Sequence, residues 1–221
     1  MDGKLIDLSH AISAGMTRYP LQPDVEIEVL GSRLRAHVLH VGSHVGTHID
    51  APVHAIDGGR RMADLPLERF WGTAVVSSVS RGPGEVITLQ DVLDGGPAAE
   101  PGEALLLHTG WDEHFADAEA YEDHPWLHQD VADWAVERRL TMVGVDMFSP
   151  DQPIDRREDN ANFQYPVHRT LLGNDVLITE NLTNLGEVGG QRGRFYAFPV
   201  LTAFPGGDAG HTRFVWQPLD S

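Results

Sequence analysis

The segment SHVGTHIDAPVH, residues 43–54, restricts the local backbone more than any other part of the chain. It holds three histidines and an aspartate, side chains that commonly bind metal ions. In a straight strand His44 and His48 would lie about 13 Å apart and could not share an ion. In an uninterrupted helix Asp50 would point away from the face that carries both histidines, and Pro52 would remove a backbone donor.

The remaining conformation is an extended chain that bends at Gly42 and Gly46, where a positive φ costs little. Such a chain can bring His44, His48 and Asp50 around one point. Two imidazoles and one carboxylate leave a coordination position open, which is typical of catalytic zinc and not of structural zinc. An exposed row of histidines along a strand is the alternative, but the density of ligands in HxxxHxD followed by PxH favours a metal site.

The charge of the whole chain limits its partners. The 221 residues include 33 acidic and 16 basic residues, a net charge of −17, which would repel the phosphates of a nucleic acid, so we expect no nucleic-acid partner. No run of about 18 apolar residues predicts a membrane span, and the first twenty residues do not resemble a signal peptide. With no cysteine present, we expect a cytoplasmic protein that folds as one domain over residues 1–221.

Short apolar runs rich in β-branched residues predict at least eight strands, beginning near residues 4, 25, 36, 72, 104, 140, 175 and 194. Three helices are predicted, at TLQDVLDGG from Thr88, at WLHQDVADWAVERR from Trp126 and at VHRTLLG from Val167. Strands that precede the first clear helix, followed by scattered helices, indicate a mixed α/β fold. The polar stretch 149–166 is long enough for a lid or a subunit contact.

From their local sequence alone, the histidines outside residues 43–54 are not predicted to bind metal. The acidic stretch 112–126 reads as a solvated surface segment, so His114, His124 and His128 are predicted at the surface. His108, in LLLHTGWD, is predicted to be a packed histidine at a strand end. His168 opens a predicted helix and Glu180 closes a predicted strand, and a turn at residues 173–174 could bring them to one end of the fold; alone, such a pair is ordinary.

Other common catalytic signatures are missing from the sequence. There is no GxSxG motif, no cysteine and no GxxxxGK loop, so serine or cysteine nucleophiles and P-loop phosphate binding lack support.

Five motifs occur in an order that resembles a known family: DLSHAISAGM, SHVGTHIDAPVH, LLLHTGWD, VGVDMFSPD and YPVHRTLLGNDVLITENLTNL. They are similar to the cyclase family of metal-dependent hydrolases, which includes bacterial kynurenine formamidase and isatin hydrolase. The resemblance spans nearly the whole chain, and its HxGTHxDxPxH core is highly specific. It implies an α/β fold that assembles as a homodimer or a larger homo-oligomer.

The same resemblance implies roles for individual residues. His44, His48 and Asp50 would hold a first divalent ion, zinc or manganese, and His168 with Glu180 would complete a second position bridged by Asp50 and Glu180. His54 takes the place of the family's catalytic histidine and would carry protons, with Glu180 assisting if it is not fully occupied by metal.

The substrate pocket departs from the family pattern. Many members carry a Trp-Pro-Gly-Asp segment near the start, whereas RYPLQPD keeps Tyr19 and Pro20 and displaces the Gly-Asp step. Tyr19, Phe148 and Phe163 are predicted to supply an aromatic surface for a small-molecule substrate. The predicted reaction is hydrolysis of an aryl formamide or a cyclic aryl amide by metal-activated water. A biosynthetic cyclase and a non-enzymatic metal-binding module remain as alternatives.

Overall fold

The computed structural model of the protein describes residues 4–31, 33–204 and 206–219, and within them it contains thirteen strands and four α-helices. The strands are β1 (Ile6–Asp7), β2 (Glu26–Val29), β3 (His37–His40), β4 (His48–Asp50), β5 (Trp71–Ser78), β6 (Val86–Ile87), β7 (Ala104–His108), β8 (Trp126–Leu127), β9 (Met142–Val145), β10 (Leu177–Glu180), β11 (Arg192–Tyr196), β12 (Ala209–His211) and β13 (Val215–Pro218). The helices are α1 (Leu89–Asp94), α2 (Ala118–Glu122), α3 (Gln129–Glu137) and α4 (Pro166–Gly173).

Nine strands form one mixed sheet in the order β1-β13-β11-β5-β7-β9-β10-β4-β12. Its centre, from β5 through β7 and β9 to β10, is parallel, and the outer pairs are antiparallel. The sheet curls, because Ser9, which follows edge strand β1, forms a bridge with Leu182 just after β10. This mixed α/β architecture confirms the predicted fold class.

Both faces of the sheet are covered, so its central parallel strands are buried and mostly apolar. Side chains of alternating residues enter two separate cores, because successive residues of a strand point to opposite faces. Leu105 and Leu107 of β7 pack beneath the helices, in the same cluster as Val131 of α3 and Leu171 of α4. Leu106 packs on the other face, with Phe195, Phe214 and Trp216 among its cluster.

The helices match two of the three predicted segments closely. Thr88 caps α1 in a capping box with Asp91, and α4 covers the predicted 167–173 segment with one residue added. The second predicted helix begins too early, because α3 starts only at Gln129 and residues 126–127 form β8. The backbone N–H groups of Trp126 and His128 donate to the carbonyls of Glu85 and Ile87, so pairing with β6 prevents a helical turn there.

Each of the eight predicted apolar runs overlaps a strand, and five more strands lie outside them. Three of these, β4, β12 and β13, join the main sheet, and β6 and β8 pair in parallel as a separate ribbon. All five contain between two and four residues, which is too short for an alternating pattern to stand out.

The surface prediction for the acidic segment is wrong for one histidine. His114 and His128 are exposed, but His124 is buried at 1% exposure beside Phe148. Burial lowers its pKa to about 4, and its Nδ1 lies 2.7 Å from the carbonyl of Pro125. The acidic residues lie on the outer side of the segment, and His124 lies on its inner, buried side. His108 lies at the end of β7 in contact with Ser78, as predicted.

Strands β2 and β3 form a hairpin apart from the main sheet. Several large apolar side chains of this hairpin region are exposed: Val29, Leu30, Leu34 and Leu39. Among the described residues, we find no helix with the length and apolarity needed to cross a bilayer.

Candidate metal centre

The floor of the site lies where β4 pairs with β10. His48 and Asp50 are two residues apart on β4 and therefore share a face of the strand. Glu180, the last residue of β10, pairs directly opposite His48, which places its carboxylate on the same face. His48 and Asp50 are both fully buried, and Glu180 is 6% exposed. The sheet thus fixes three of the predicted ligands without any loop.

His44 reaches this group through the turn that precedes β4. Gly46 has a φ of +69°, which confirms one of the two predicted bends. Gly42, the other predicted bend, has no left-handed φ; a Cβ at this position would meet the side-chain oxygen of Gln22. The turn brings Nδ1 of His44 to 3.1 Å from Nε2 of His48.

His168 lies in the first turn of α4, and its orientation is set by Asp151. One oxygen of Asp151 lies 2.7 Å from Nδ1 of His168, and its carboxylate also accepts the backbone N–H groups of Val167 and His168 at 3.0 Å. Asp151 therefore caps the helix and holds the imidazole at once. The other ring nitrogen, Nε2, lies 3.3 Å from Oε1 of Glu180 and 3.7 Å from Oδ2 of Asp50.

The two oxygens of Asp50 face different groups of nitrogens. Oδ1 lies 2.9 Å from Nδ1 of His44 and 3.2 Å from Nε2 of His48, whereas Oδ2 is the oxygen nearer to His168. Both oxygens of Asp50 and Oε1 of Glu180 are buried and have no hydrogen-bond partner of suitable geometry among the described residues. Such atoms are costly to bury, and a bound cation would satisfy them, so the cluster fits a metal site.

The electrostatics of the cluster also favour a cation. Burial alone would lower the pKa values of the imidazoles, but the neighbouring carboxylates together outweigh it. Asp50 and Asp208 raise the pKa of His44 to about 9, and Asp50 and Glu180 raise that of His48 to about 10. The histidines in turn overcome burial and hold the pKa of Asp50 well below its ordinary value. Nδ1 of His44 and Nε2 of His48 face each other at 3.1 Å, an arrangement that one metal ion between them would satisfy.

His54 lies beside the cluster, in a 3₁₀ turn over Pro52–His54, and its side chain is 31% exposed. Its ring centroid is 4.0 Å from that of His44 and 5.6 Å from that of His168. Asp208 contacts both His44 and His54: its Oδ2 lies 3.0 Å from Nε2 of His44 and 3.5 Å from Nδ1 of His54. The hydrogen bond with His44, and then the contact with His54, hold the pKa of Asp208 well below its ordinary value.

The cluster opens into a cavity of about 380 Å³. Tyr19 and Phe148, two of the three predicted aromatic residues, line it together with Tyr165. Phe163 is not among the described lining residues and packs instead against Tyr165 and the guanidinium of Arg157. A larger cavity of about 920 Å³ shares Tyr19 and Phe148 but is lined by none of the cluster's histidines, so the smaller one is the relevant pocket.

Three residues of the site were missed by sequence reasoning, namely Asp151, Tyr165 and Asp208. Asp151 ends VGVDMFSPD and Tyr165 begins YPVHRTLLG, so both stand inside recognised motifs and could have been proposed. Asp208 lies more than 150 residues from His44, in a glycine-rich turn that carries no spacing signal. Only the pairing of β12 with β4 brings it to the site.

Comparisons of sequence and of structure relate the chain to known proteins. The chain is 29% identical to a kynurenine formamidase of Bacillus cereus over 97% of both chains, and 28% identical to one of Bacillus anthracis over 98% of both. Its structure resembles isatin hydrolase A from Ralstonia solanacearum with a TM-score of 0.86, at 21% identity, covering 99% of this chain and 93% of that one. A solved structure described as a potential metal-dependent hydrolase with cyclase activity gives a TM-score of 0.80, at 22% identity, over 99% and 100% of the two chains.

A family model also matches directly. The model described as "Putative cyclase" covers residues 6–152, more than half of the chain and all of the HxGTHxDxPxH segment. The motifs, the fold and this match agree, and the chain belongs to the cyclase family, whose relatives named above include hydrolytic enzymes.

Proposed function

We propose that this protein is a divalent-metal-dependent hydrolase that cleaves a carbon–nitrogen amide bond in an aryl formamide or a cyclic aryl amide. The observation that carries the proposal is the convergence of three imidazoles and three unpartnered carboxylate oxygens at the floor of an aromatic cavity. The names of its relatives, kynurenine formamidase and isatin hydrolase, support the same class of reaction.

His44, His48 and Asp50 would hold a first ion, and His168 and Glu180 would hold a second with the other oxygen of Asp50. Zinc and manganese both accept this donor set. A divalent ion held there would supply Lewis acidity, which would lower the pKa of water to about 7 and stabilise negative charge on a carbonyl oxygen. The test for the second position is Glu180→Gln, which should reduce metal stoichiometry because a neutral amide is a poorer ligand.

His54 would move the proton in this reaction. It would accept a proton from the attacking water as oxygen adds to the amide carbon, and donate that proton to the nitrogen as the carbon–nitrogen bond breaks. An aryl formamide would yield formate and an arylamine, and a cyclic aryl amide would yield the ring-opened acid. His54 suits this role because it borders both the cluster and the cavity.

The cavity walls support an aryl substrate. Phe148 is 4% exposed and packs edge-on against Tyr19, with ring centroids 5.8 Å apart, so the two rings form a preformed apolar wall. A volume of about 380 Å³ lies within the range of small-molecule pockets.

Incubation of the metal-loaded protein with N-formylkynurenine, isatin, a simple formanilide and an aliphatic formamide tests the proposal. We expect hydrolysis of at least one aryl amide, and no hydrolysis by the His48→Ala variant treated in the same way. A fully metal-loaded protein that hydrolyses none of them would remove the amide assignment and favour the biosynthetic cyclase.

We also propose that the protein forms a homodimer or larger homo-oligomer through the β2–β3 hairpin. A two-stranded hairpin with exposed apolar side chains is marginally stable alone, and Leu34 is 86% exposed. Leu34→Asp should lower the molar mass measured by light scattering to that of a single chain, whereas Leu67→Asp, at an exposed leucine outside the hairpin, should not. A monomeric unmutated protein would contradict this proposal.

A further inference from the structure

Asp208 contacts His44 and His54 but is not one of the proposed metal ligands. We propose that Asp208 is a positioning residue whose carboxylate fixes the ring orientation and the tautomer of both His44 and His54. This inference rests on the metal site proposed above, and it concerns a carboxylate that the donor set there does not include.

The two ring nitrogens of His44 face different partners. Nδ1 lies within 3.1 Å of Nε2 of His48 and 2.9 Å from Oδ1 of Asp50, at the position proposed for the first ion. Nε2 lies 3.0 Å from Oδ2 of Asp208. A carboxylate there accepts an N–H bond, so the hydrogen of a neutral His44 stays on Nε2 and the lone pair of Nδ1 is directed to the ion.

His54 uses the same carboxylate oxygen. Its Nδ1 lies 3.5 Å from Oδ2 of Asp208, and its ring is tilted by 37° from that of His44 at a centroid distance of 4.0 Å. An acceptor beside Nδ1 favours the tautomer that carries its hydrogen there, which leaves Nε2 as the basic nitrogen. Asp208 would therefore select the form of His54 that can accept a proton at Nε2.

The position of Asp208 is set by backbone structure. Its carbonyl accepts the N–H of Ala51 at 2.7 Å, and the next residue, Ala209, pairs with Asp50 across β12 and β4. The hydroxyl of Ser43 lies 3.3 Å from Oδ1, which leaves Oδ2 for the two histidines. The carboxylate is thus held one strand away from Asp50, close enough to orient ligands.

The closing experiment compares Asp208→Ala and Asp208→Asn with Thr202→Val in the full-length, zinc-loaded protein. Thr202 bonds the carbonyl of Ala209 at 3.1 Å, so its variant disturbs the same turn without touching the carboxylate. Zinc affinity is measured by competition with a chromogenic chelator, and the histidine tautomers are read from ¹⁵N–¹H correlations of the ring nitrogens. Circular dichroism confirms that each variant is folded.

We expect Asp208→Ala to weaken zinc binding by about 10-fold to 100-fold and to remove the preference of His54 for the Nδ1–H tautomer. Asp208→Asn retains an acceptor oxygen and should lose less affinity. If an aryl amide is hydrolysed, Asp208→Ala should lower kcat much more than it changes KM. Thr202→Val should keep affinity and tautomers close to those of the unmutated protein.

Three results would overturn the inference. They are unchanged zinc affinity and tautomers in Asp208→Ala, the same losses in Thr202→Val, and loss of one whole zinc equivalent in Asp208→Asn, which would make Asp208 a ligand. Because zinc affinity and tautomers are measured without substrate, these results are separate from any failure to hydrolyse amides.

Discussion

The floor and the walls of the cavity are built differently. Three residues of the floor, His48, Asp50 and Glu180, lie on β4 and β10 within the sheet, where the hydroxyl of Thr179 donates to the carbonyl of His48 at 2.8 Å. His44 and His168 join them from the turn before β4 and from the first turn of α4. The walls come from irregular segments. Tyr19 precedes the β2–β3 hairpin, and Tyr165 has a left-handed φ of 47° just before α4.

This difference separates chemistry from specificity. The three residues fixed by strand register keep their geometry when loops change, so the sheet supports the metal chemistry. The residues of the walls are free to vary. In this chain the guanidinium of Arg157 links two of them, because its nitrogens lie 3.3 Å from the hydroxyl of Tyr19 and 3.2 Å from that of Tyr165. Changes to the floor should therefore abolish the activity, whereas changes to the walls should redirect it.

The largest effect is expected from the floor. His48→Ala removes a fully buried ligand and should lower kcat/KM by at least about 10³-fold together with loss of metal. Steady-state kinetics on the best aryl amide measures the effect, with His114→Ala, an exposed histidine, as the matched control. Activity within about 10-fold of the unmutated enzyme would place the chemistry elsewhere.

His54 stands at the border between floor and wall. His54→Ala should keep the metal and the fold but lower kcat by at least about 10²-fold, because it removes a proton carrier and leaves the ligands in place. Elemental analysis run beside the kinetics separates the two roles. Since Asp50, His54 and His168 also lie within 4.8 Å of one another, loss of metal in this variant would instead make His54 a ligand.

The floor should also govern how stability depends on pH once metal is removed. The folded-state pKa values of His44 and His48 are raised from 6.5 to about 9 and about 10. What they add to the free energy of unfolding is therefore complete below about pH 6.5 and is lost as pH rises through 9 to 10. The chelated protein should lose at least about 5 °C in Tm between pH 7 and 9.5, and the zinc-loaded protein should lose less. Differential scanning fluorimetry would contradict this if the chelated protein showed a flat Tm over that range.

The smallest effect is expected from the wall. Aryl amides should be preferred over an aliphatic formamide by at least about 10-fold in kcat/KM, and Tyr19→Ala should shrink that preference with little change in metal content. Phe163→Ala is the comparison, because Phe163 packs on Arg157 and does not line the cavity. An equal loss of preference in both variants would mean that Tyr19 acts through the loop and not by direct contact.

More of the floor than of the walls could be predicted from the sequence. Residues 44–54 and the His168–Glu180 pair stand in compact motifs, so spacing and family resemblance together named the residues that the structure brings together. Asp208 arrives through long-range strand pairing, which short-range spacing cannot reveal. The aromatic walls depend on loop conformation, which is why Phe163 was expected at the cavity and Tyr165 lies there instead. The buried His124 shows that a segment's composition describes its exposed side only.

The most direct test of the central claim is elemental analysis of the unmutated protein purified without chelators. We predict one or two equivalents of a divalent transition metal per chain, bound by His44, His48 and Asp50 and by His168 and Glu180, and their loss in His48→Ala. A folded, unmutated protein that carries no stoichiometric metal and takes up neither zinc nor manganese on dialysis would contradict the account.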